Sequence, residues 1–221
     1  MSKPITQIPK PEASQYSSRR KLLLIPAYIF SPEAPEEGKK ILEDYWAEVE
    51  QQIVSLETSL GSVAQIYHEG LCYGGETAIK VLDGLNPNAK LFIQRMCASS
   101  SNLVVTEERT LMEVNADWQR CITVGLMSEA VRGVVLEGYQ DSTKKRFEHI
   151  AKTIDETLKE KEVGVLFIRE DHKVQFPADI QVFYVAPPSL DALKRWIENQ
   201  VRAVSENIDK ENPSDKDKEK A

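Results

Sequence analysis

Arg169-Glu170-Asp171-His172 stands directly after the apolar run Val163-Gly-Val-Leu-Phe-Ile168. An imidazole among carboxylates can move a proton or hold a metal ion. His172 is one of three histidines in the chain. A second such group, His68-Glu69, follows Val63-Ala-Gln-Ile-Tyr67 and opens the stretch Gly70-Leu-Cys-Tyr-Gly-Gly75. Here too an imidazole and a carboxylate suit metal ligation or proton transfer, with Cys72 close by. Each group has a plainer explanation: most charged loops are merely solvated, and Glu69 can cap or pair locally while the glycines make a turn. Arg146 lies in Arg146-Phe-Glu-His-Ile150, where it either binds an anion or pairs with Glu148, Asp141 or a neighbouring helix. His149 in that stretch reads as a surface or packed helical histidine. Trp118, beside Arg120 and Cys121, reads as helix packing.

These side chains need elements to position them. The runs Val163–Ile168 and Ile180–Val185 are short, apolar and rich in β-branched residues, as buried strands are; Lys21–Tyr28 and Val63–Tyr67 also read as strands, and Asn102–Val105 forms a shorter candidate. Pro32, Glu33 and Glu36-Glu37 mark a helix start, and apolar residues from Ile41 at helical spacing carry that helix to Leu60. Short helices are expected over Glu76–Asp83 and Pro87–Ala98, the latter capped by Asn86. Thr106-Glu-Glu-Arg109 resembles a helix cap with acids in the first turn. Helix is expected from Glu107 to about Val135, interrupted near Gly125 or Gly133. Phe147, Ile150, Ile154 and Leu158 make one stripe of an amphipathic helix over Asp141–Lys159, and Pro188–Val204 closes the body. Strands separated by helices predict an α/β fold: a mostly parallel sheet of four or five strands with helices on both faces. The last strand, only about eleven residues after its predecessor, either pairs elsewhere in the sheet or runs antiparallel at an edge. In such sheets ligands meet the carboxyl ends of the strands, so Glu69, His172 and the Ser31 loop converge if their strands are parallel neighbours.

The flanks differ in composition. Residues 1–19 read as a flexible arm, 20–205 as a single α/β domain, and 206–221 as a charged, disordered tail. A formal net charge of −7 disfavours nucleic acid as a partner, and no apolar run approaches the roughly 18–20 residues of a membrane helix. No apolar core precedes a cleavage site at the amino terminus, so no secretory signal is expected. Cys72, Cys97 and Cys121 are widely spaced and odd in number, which suits reduced thiols and a cytoplasmic location. The chain carries no Gly-x-Gly-x-x-Gly after the first strand, no Walker A sequence, no His-Glu-x-x-His and no Gly-x-Ser-x-Gly. The commonest nucleotide, zinc-protease and serine-hydrolase signatures are therefore missing. Metal and cofactor content stay open.

Lys21–Tyr28, Ile66–Gly75, the stretch through Asn88 and Thr106-Glu107, and Arg146–Ile168 together resemble a family of uncharacterised bacterial and archaeal cytosolic α/β proteins. More remotely, the pattern is similar to the TraB and Tiki protease group and to the erythromycin esterases. That resemblance implies a hydrolase-like scaffold with Glu69 as the acid after the second strand, Arg146 as the helix arginine and His172 as the late histidine. The first-loop histidine of those hydrolases has no counterpart in Ala27-Tyr-Ile-Phe-Ser-Pro32. The expectation is therefore a cytosolic binding or regulatory protein, with a small molecule or another protein as partner. The alternative is a metal-assisted hydrolase using Glu69 and His172, with His68 or Cys72 replacing the missing ligand.

Overall fold

The computed structural model describes residues 19–211. Five strands, β1 (Arg20–Pro26), β2 (Val63–His68), β3 (Asn102–Leu103), β4 (Val163–Ile168) and β5 (Ile180–Tyr184), form one sheet in the order β3-β2-β4-β1-β5. Every pairing is parallel. The helices are α1 (Glu36–Leu60), α2 (Gly75–Leu85), α3 (Pro87–Ala98), α4 (Arg109–Thr123), α5 (Glu129–Thr157) and α6 (Pro188–Glu211). Among the described residues no helix is long and apolar enough to cross a membrane.

Strand alternation sorts the core into two layers. Leu23, Ile25, Val165 and Phe167 pack with Tyr45, Val49 and Ile53 of α1, Ile93 of α3 and Leu193 of α6. Leu22, Leu24, Leu166 and Ile168 face the other way, onto Phe147, Ile150 and Ile154 of α5. Full burial of each such side chain contributes about 1.5–3 kcal/mol. Both faces are thus covered, which explains why all six residues of β4 are buried. A register shift between Val63 and Gln65 lets Val63 and Ile66, three positions apart, join the same layer. Gly164 allows the close packing at the sheet centre, where an added Cβ would lie 3.1 Å from Tyr67 and 3.2 Å from both Leu158 and Leu22.

Several boundaries differ from expectation. α1 starts at Glu36, after Pro35 rather than at Pro32. β3 is two residues long, and Val104 turns into the α5-side core instead of continuing the strand. The helix after β3 begins at Arg109, because Thr106 and Glu107 are buried and bonded to the β2–α2 loop rather than exposed in a first helical turn. Its break comes after Thr123: Gly125 adopts φ +68°, and the Ser128 side chain caps α5 by accepting from the Val131 N–H. α5 then runs through Gly133 without interruption. α6 continues past Val204 to Glu211. Residues 1–18 of the amino-terminal arm and 212–221 of the charged tail lie outside the described residues.

The β4–β5 connection, Arg169 to Asp179, positions the site. Parallel strands that follow one another in the chain normally need a crossover of about a dozen residues or more, usually a helix. Here an irregular loop crosses β1 on its α5 side, with Val174 buried in the core layer that holds Leu22, Leu24 and Ile180 and Phe176 packed against that layer. Arg20 ties its end down, its guanidinium donating to Asp179 at 2.7 and 2.9 Å and to Asp155 of α5 at 2.7 Å. β5 is therefore a parallel edge strand.

Candidate functional site

Because all strands run the same way, the loops after β1, β2, β3 and β4 open on one edge of the sheet. Glu69 leaves β2, Glu107 follows β3, Arg169 and His172 follow β4, and Arg146 reaches the edge from α5. Arg146 forks onto Glu107, with Nε donating to Oε2 and Nη2 to Oε1 at 2.6 Å each. Its Nη1 donates to Asn115 Oδ1 at 2.8 Å, and Asn115 is held in turn by Ser142 and Thr143. Nη2 also lies 3.5 Å from Glu69 Oε1. Arg169 covers the other side of Glu69: its backbone N–H donates to Oε2 at 2.9 Å and Nε to Oε1 at 2.6 Å.

The result is a closed set of two carboxylates and two guanidinium groups, in which Glu107 is the most deeply buried, with a side chain 1% exposed. Charges withdrawn from water persist only when paired and hydrogen-bonded, and here each is. Burial would push the Glu69 carboxyl up, but the Arg169 hydrogen bond and charge, together with Arg146, hold it below the ordinary carboxylate range. Glu107 Oε1 also accepts from the Gly70 N–H at 2.7 Å, and the N–H groups of Thr106 and Glu107 both donate to Leu71. The β2–α2 and β3–α4 loops are joined by these bonds. Gly70 adopts φ +87°, a left-handed conformation that favours glycine, with Leu85 only 3.0 Å from where a Cβ would stand.

His68 is structural. A carbonyl oxygen only accepts, so the 2.6 Å contact with the Glu69 carbonyl puts the proton on Nδ1, leaving Nε2 to accept from Asn86 at 3.3 Å. Both ring nitrogens are occupied, and burial pushes its pKa down. His172 has the opposite tautomer: Nδ1 accepts from the Val174 N–H at 3.2 Å, so Nε2 carries the hydrogen. Burial lowers its pKa too, against the opposing charges of Glu69 and Asp171. Among the described residues no group of three or more His, Cys, Asp or Glu side chains is arranged to hold a metal ion. Ser31 sits on the same edge but bonds within its own loop, to Glu33. Cys72 is a free, half-buried thiol.

A cavity of about 520 Å³ opens beside this network, between α5 and the β4–β5 loop. Phe147, Ala151 and Tyr139 form its α5 wall, and Arg169, Asp171 and Lys173 its loop side. It occupies the place where a crossover helix would otherwise pack. Arg169 belongs to both structures, with its guanidinium carbon 5.9 Å from the Phe147 ring centroid.

The sequence-predicted residues Glu69 and Arg146 thus meet directly, and His172 stands in reach of the Glu69 charge. Asn115 was not singled out by sequence reasoning, and Arg169 and Glu107 were named only within a loop motif and a helix start, with no role in the site. Arg169 had a signal, as the first residue after a buried strand. Glu107 looked like an ordinary helix-start acid, and Asn115 lies within α4 with no local mark. Comparison of the chain with known protein families, with curated proteins and with solved structures finds no match.

Proposed function

We propose that this chain is a cytoplasmic protein that binds a small molecule, with a binding or regulatory role, on a hydrolase-like α/β scaffold. The observation that carries this is the double use of Arg169: its guanidinium is fixed on Glu69, and the same residue lines the 520 Å³ cavity. Pockets of about 300–1,000 Å³ with apolar walls and a few fixed polar groups are the usual form of small-molecule sites. Glu69, the acid that the resemblance to the TraB, Tiki and erythromycin-esterase group marks, is clamped by two guanidinium groups rather than open to a substrate. Such pairing suits a rigid platform better than proton transfer, which needs a carboxylate poised near the working pH. Three free thiols support the cytoplasmic location.

The test is a thermal-shift screen of chemically diverse small molecules, with hits confirmed by calorimetry. At least one compound should bind saturably at one site per chain and lose binding in Ala151→Trp, which fills the cavity from α5, and in Gln175→Trp, which fills it from the loop. Hits unaffected by both substitutions would remove the cavity from consideration.

A second reading, metal-assisted hydrolysis through Glu69 and His172, is favoured by their placement after the neighbouring parallel strands β2 and β4, on the same sheet edge. Metal analysis of the purified protein separates the two. About one metal per chain, as a mononuclear catalytic site requires, lost in both Glu69→Ala and His172→Ala, would make hydrolysis the leading function.

A further inference from the structure

Resting on the assignment of the cavity as a ligand site, we infer that its ligand is an organic carboxylate: one negative charge on a flat, apolar body. Arg169 directs Nε, Nη2 and its backbone N–H at Glu69. Among the described residues nothing accepts from its Nη1, so that nitrogen is the guanidinium group left for a ligand. Lys173, also on the cavity wall, has no ion-pair partner among the described residues. A fixed guanidinium N–H and a mobile ammonium are the donors a carboxylate needs, and charge-assisted bonds of this kind are about twice as strong as neutral ones.

The body of the ligand follows from the opposite wall. Phe147 lies under the guanidinium, Ala151 leaves space beside it, and Tyr139 adds a second ring. Flat apolar groups stack favourably in such surroundings. The charge follows from the remaining lining. Asp171 and Glu148 are also on the cavity wall, and Lys144 lies 3.7 Å from Glu148. Arg169 is already matched by Glu69 and Lys144 by Glu148, so Lys173 is the lining cation without an ion-pair partner among the described residues. One ligand charge is matched, whereas the second charge of a phosphate ester would face Asp171 and Glu148 without compensation.

Calorimetry on the full chain with 2-naphthoate, 2-naphthamide, 2-naphthyl phosphate and inorganic phosphate tests this. The carboxylate should bind about tenfold or more tighter than the isosteric amide, the scale of a charge-assisted hydrogen bond. It should also bind more tightly than the aryl phosphate, and inorganic phosphate should not compete. Lys173→Gln, a change at an exposed loop position, should weaken naphthoate several-fold and naphthamide by less, since the amide offers the ammonium only a neutral acceptor. Arg169→Lys should act in the same direction. Equal affinities for acid and amide, both lost in Ala151→Trp, would overturn the carboxylate class while keeping the cavity as a ligand site. Tighter binding of the aryl phosphate would overturn it in favour of dianions. Failure of naphthoate to bind at all would also overturn it, and the diverse screen would then decide the ligand-site assignment independently.

Discussion

Arg146 and Glu107 show how much one buried pair can hold in place. Removing the arginine leaves Glu107 charged, buried and without its two 2.6 Å bonds, in a site with no room for bulk water. Arg146→Met is therefore expected to destabilise the fold by about 3–5 kcal/mol, read as a shift in the urea unfolding midpoint. Arg146→Lys should recover only part of that, because an ammonium cannot match the planar fork onto both Glu107 oxygens while also reaching Asn115. Replacing both partners, Arg146→Met with Glu107→Leu, should cost less than the single change. It will not be neutral, since the Gly70 N–H loses its acceptor, at roughly 1–3 kcal/mol. A single Arg146→Met variant as stable as the wild type would show that the pair is not buried in solution.

At the scale of elements, two helix contacts are built on glycine. A Cβ on Gly138 of α5 would stand 2.5 Å from the Trp118 ring of α4, and one on Gly38 of α1 would stand 2.3 Å from the Trp196 ring of α6. Trp118 is thus a packing residue, as the sequence reading expected. Gly138→Ala gains up to about 1 kcal/mol of helix propensity but forces the indole away, at about 1–3 kcal/mol of overpacking. The overpacking should win, lowering stability and loosening α4 against α5. Gly133, five residues earlier in the same helix, has nothing within 4 Å of its would-be Cβ. There the propensity term acts alone, so Gly133→Ala should raise stability by up to about 1 kcal/mol. Thermal denaturation of the two variants side by side checks the pair of signs. Two changes of the same sign would place Trp118 elsewhere.

For the whole molecule, the shifted groups set how stability varies with pH. His68 and His172 are both pushed down by burial, so the unfolded chain takes up protons more readily than the folded one once the pH falls below about 6.5. Their contribution is complete above that value and declines as the pH drops toward the folded pKa values. Glu69 is held low by Arg169 and Arg146 against the effect of its burial, so its contribution is present above about 4.3 and is lost as the pH falls through its folded value. Stability should therefore fall in two stages on acidification, the first from the histidines and the second from Glu69 together with Glu170 and Asp179, whose carboxyls Lys194 and Arg20 also hold low. His172→Gln, which keeps an acceptor for the Val174 N–H, should flatten the first stage without removing it, because His68 remains. Urea midpoints measured at several pH values across both stages test this, and an unchanged first stage in the variant would assign it to other groups.

The sequence alone determined the elements and their class. Short continuous apolar runs such as those around Leu23 and Val165 report strands buried on both faces, and the period of about 3.6 in the Phe147–Leu158 stripe reports the buried side of a helix. Their alternation along the chain was enough for a parallel α/β sheet, and for placing Glu69 and His172 after strands. Hydrophobic periodicity carries no information about which strands become neighbours. That β4 inserts between β1 and β2, and that β5 runs parallel at the edge after a loop rather than antiparallel, were decided by tertiary packing on two covered faces. The same holds for the site. Glu107 and Arg146 lie 39 positions apart and Glu69 and Arg169 lie 100 apart, so nothing local marks them as partners. The cavity is walled by α5 on one side and by the irregular β4–β5 loop on the other, a consequence of how distant segments pack rather than of any segment's own pattern.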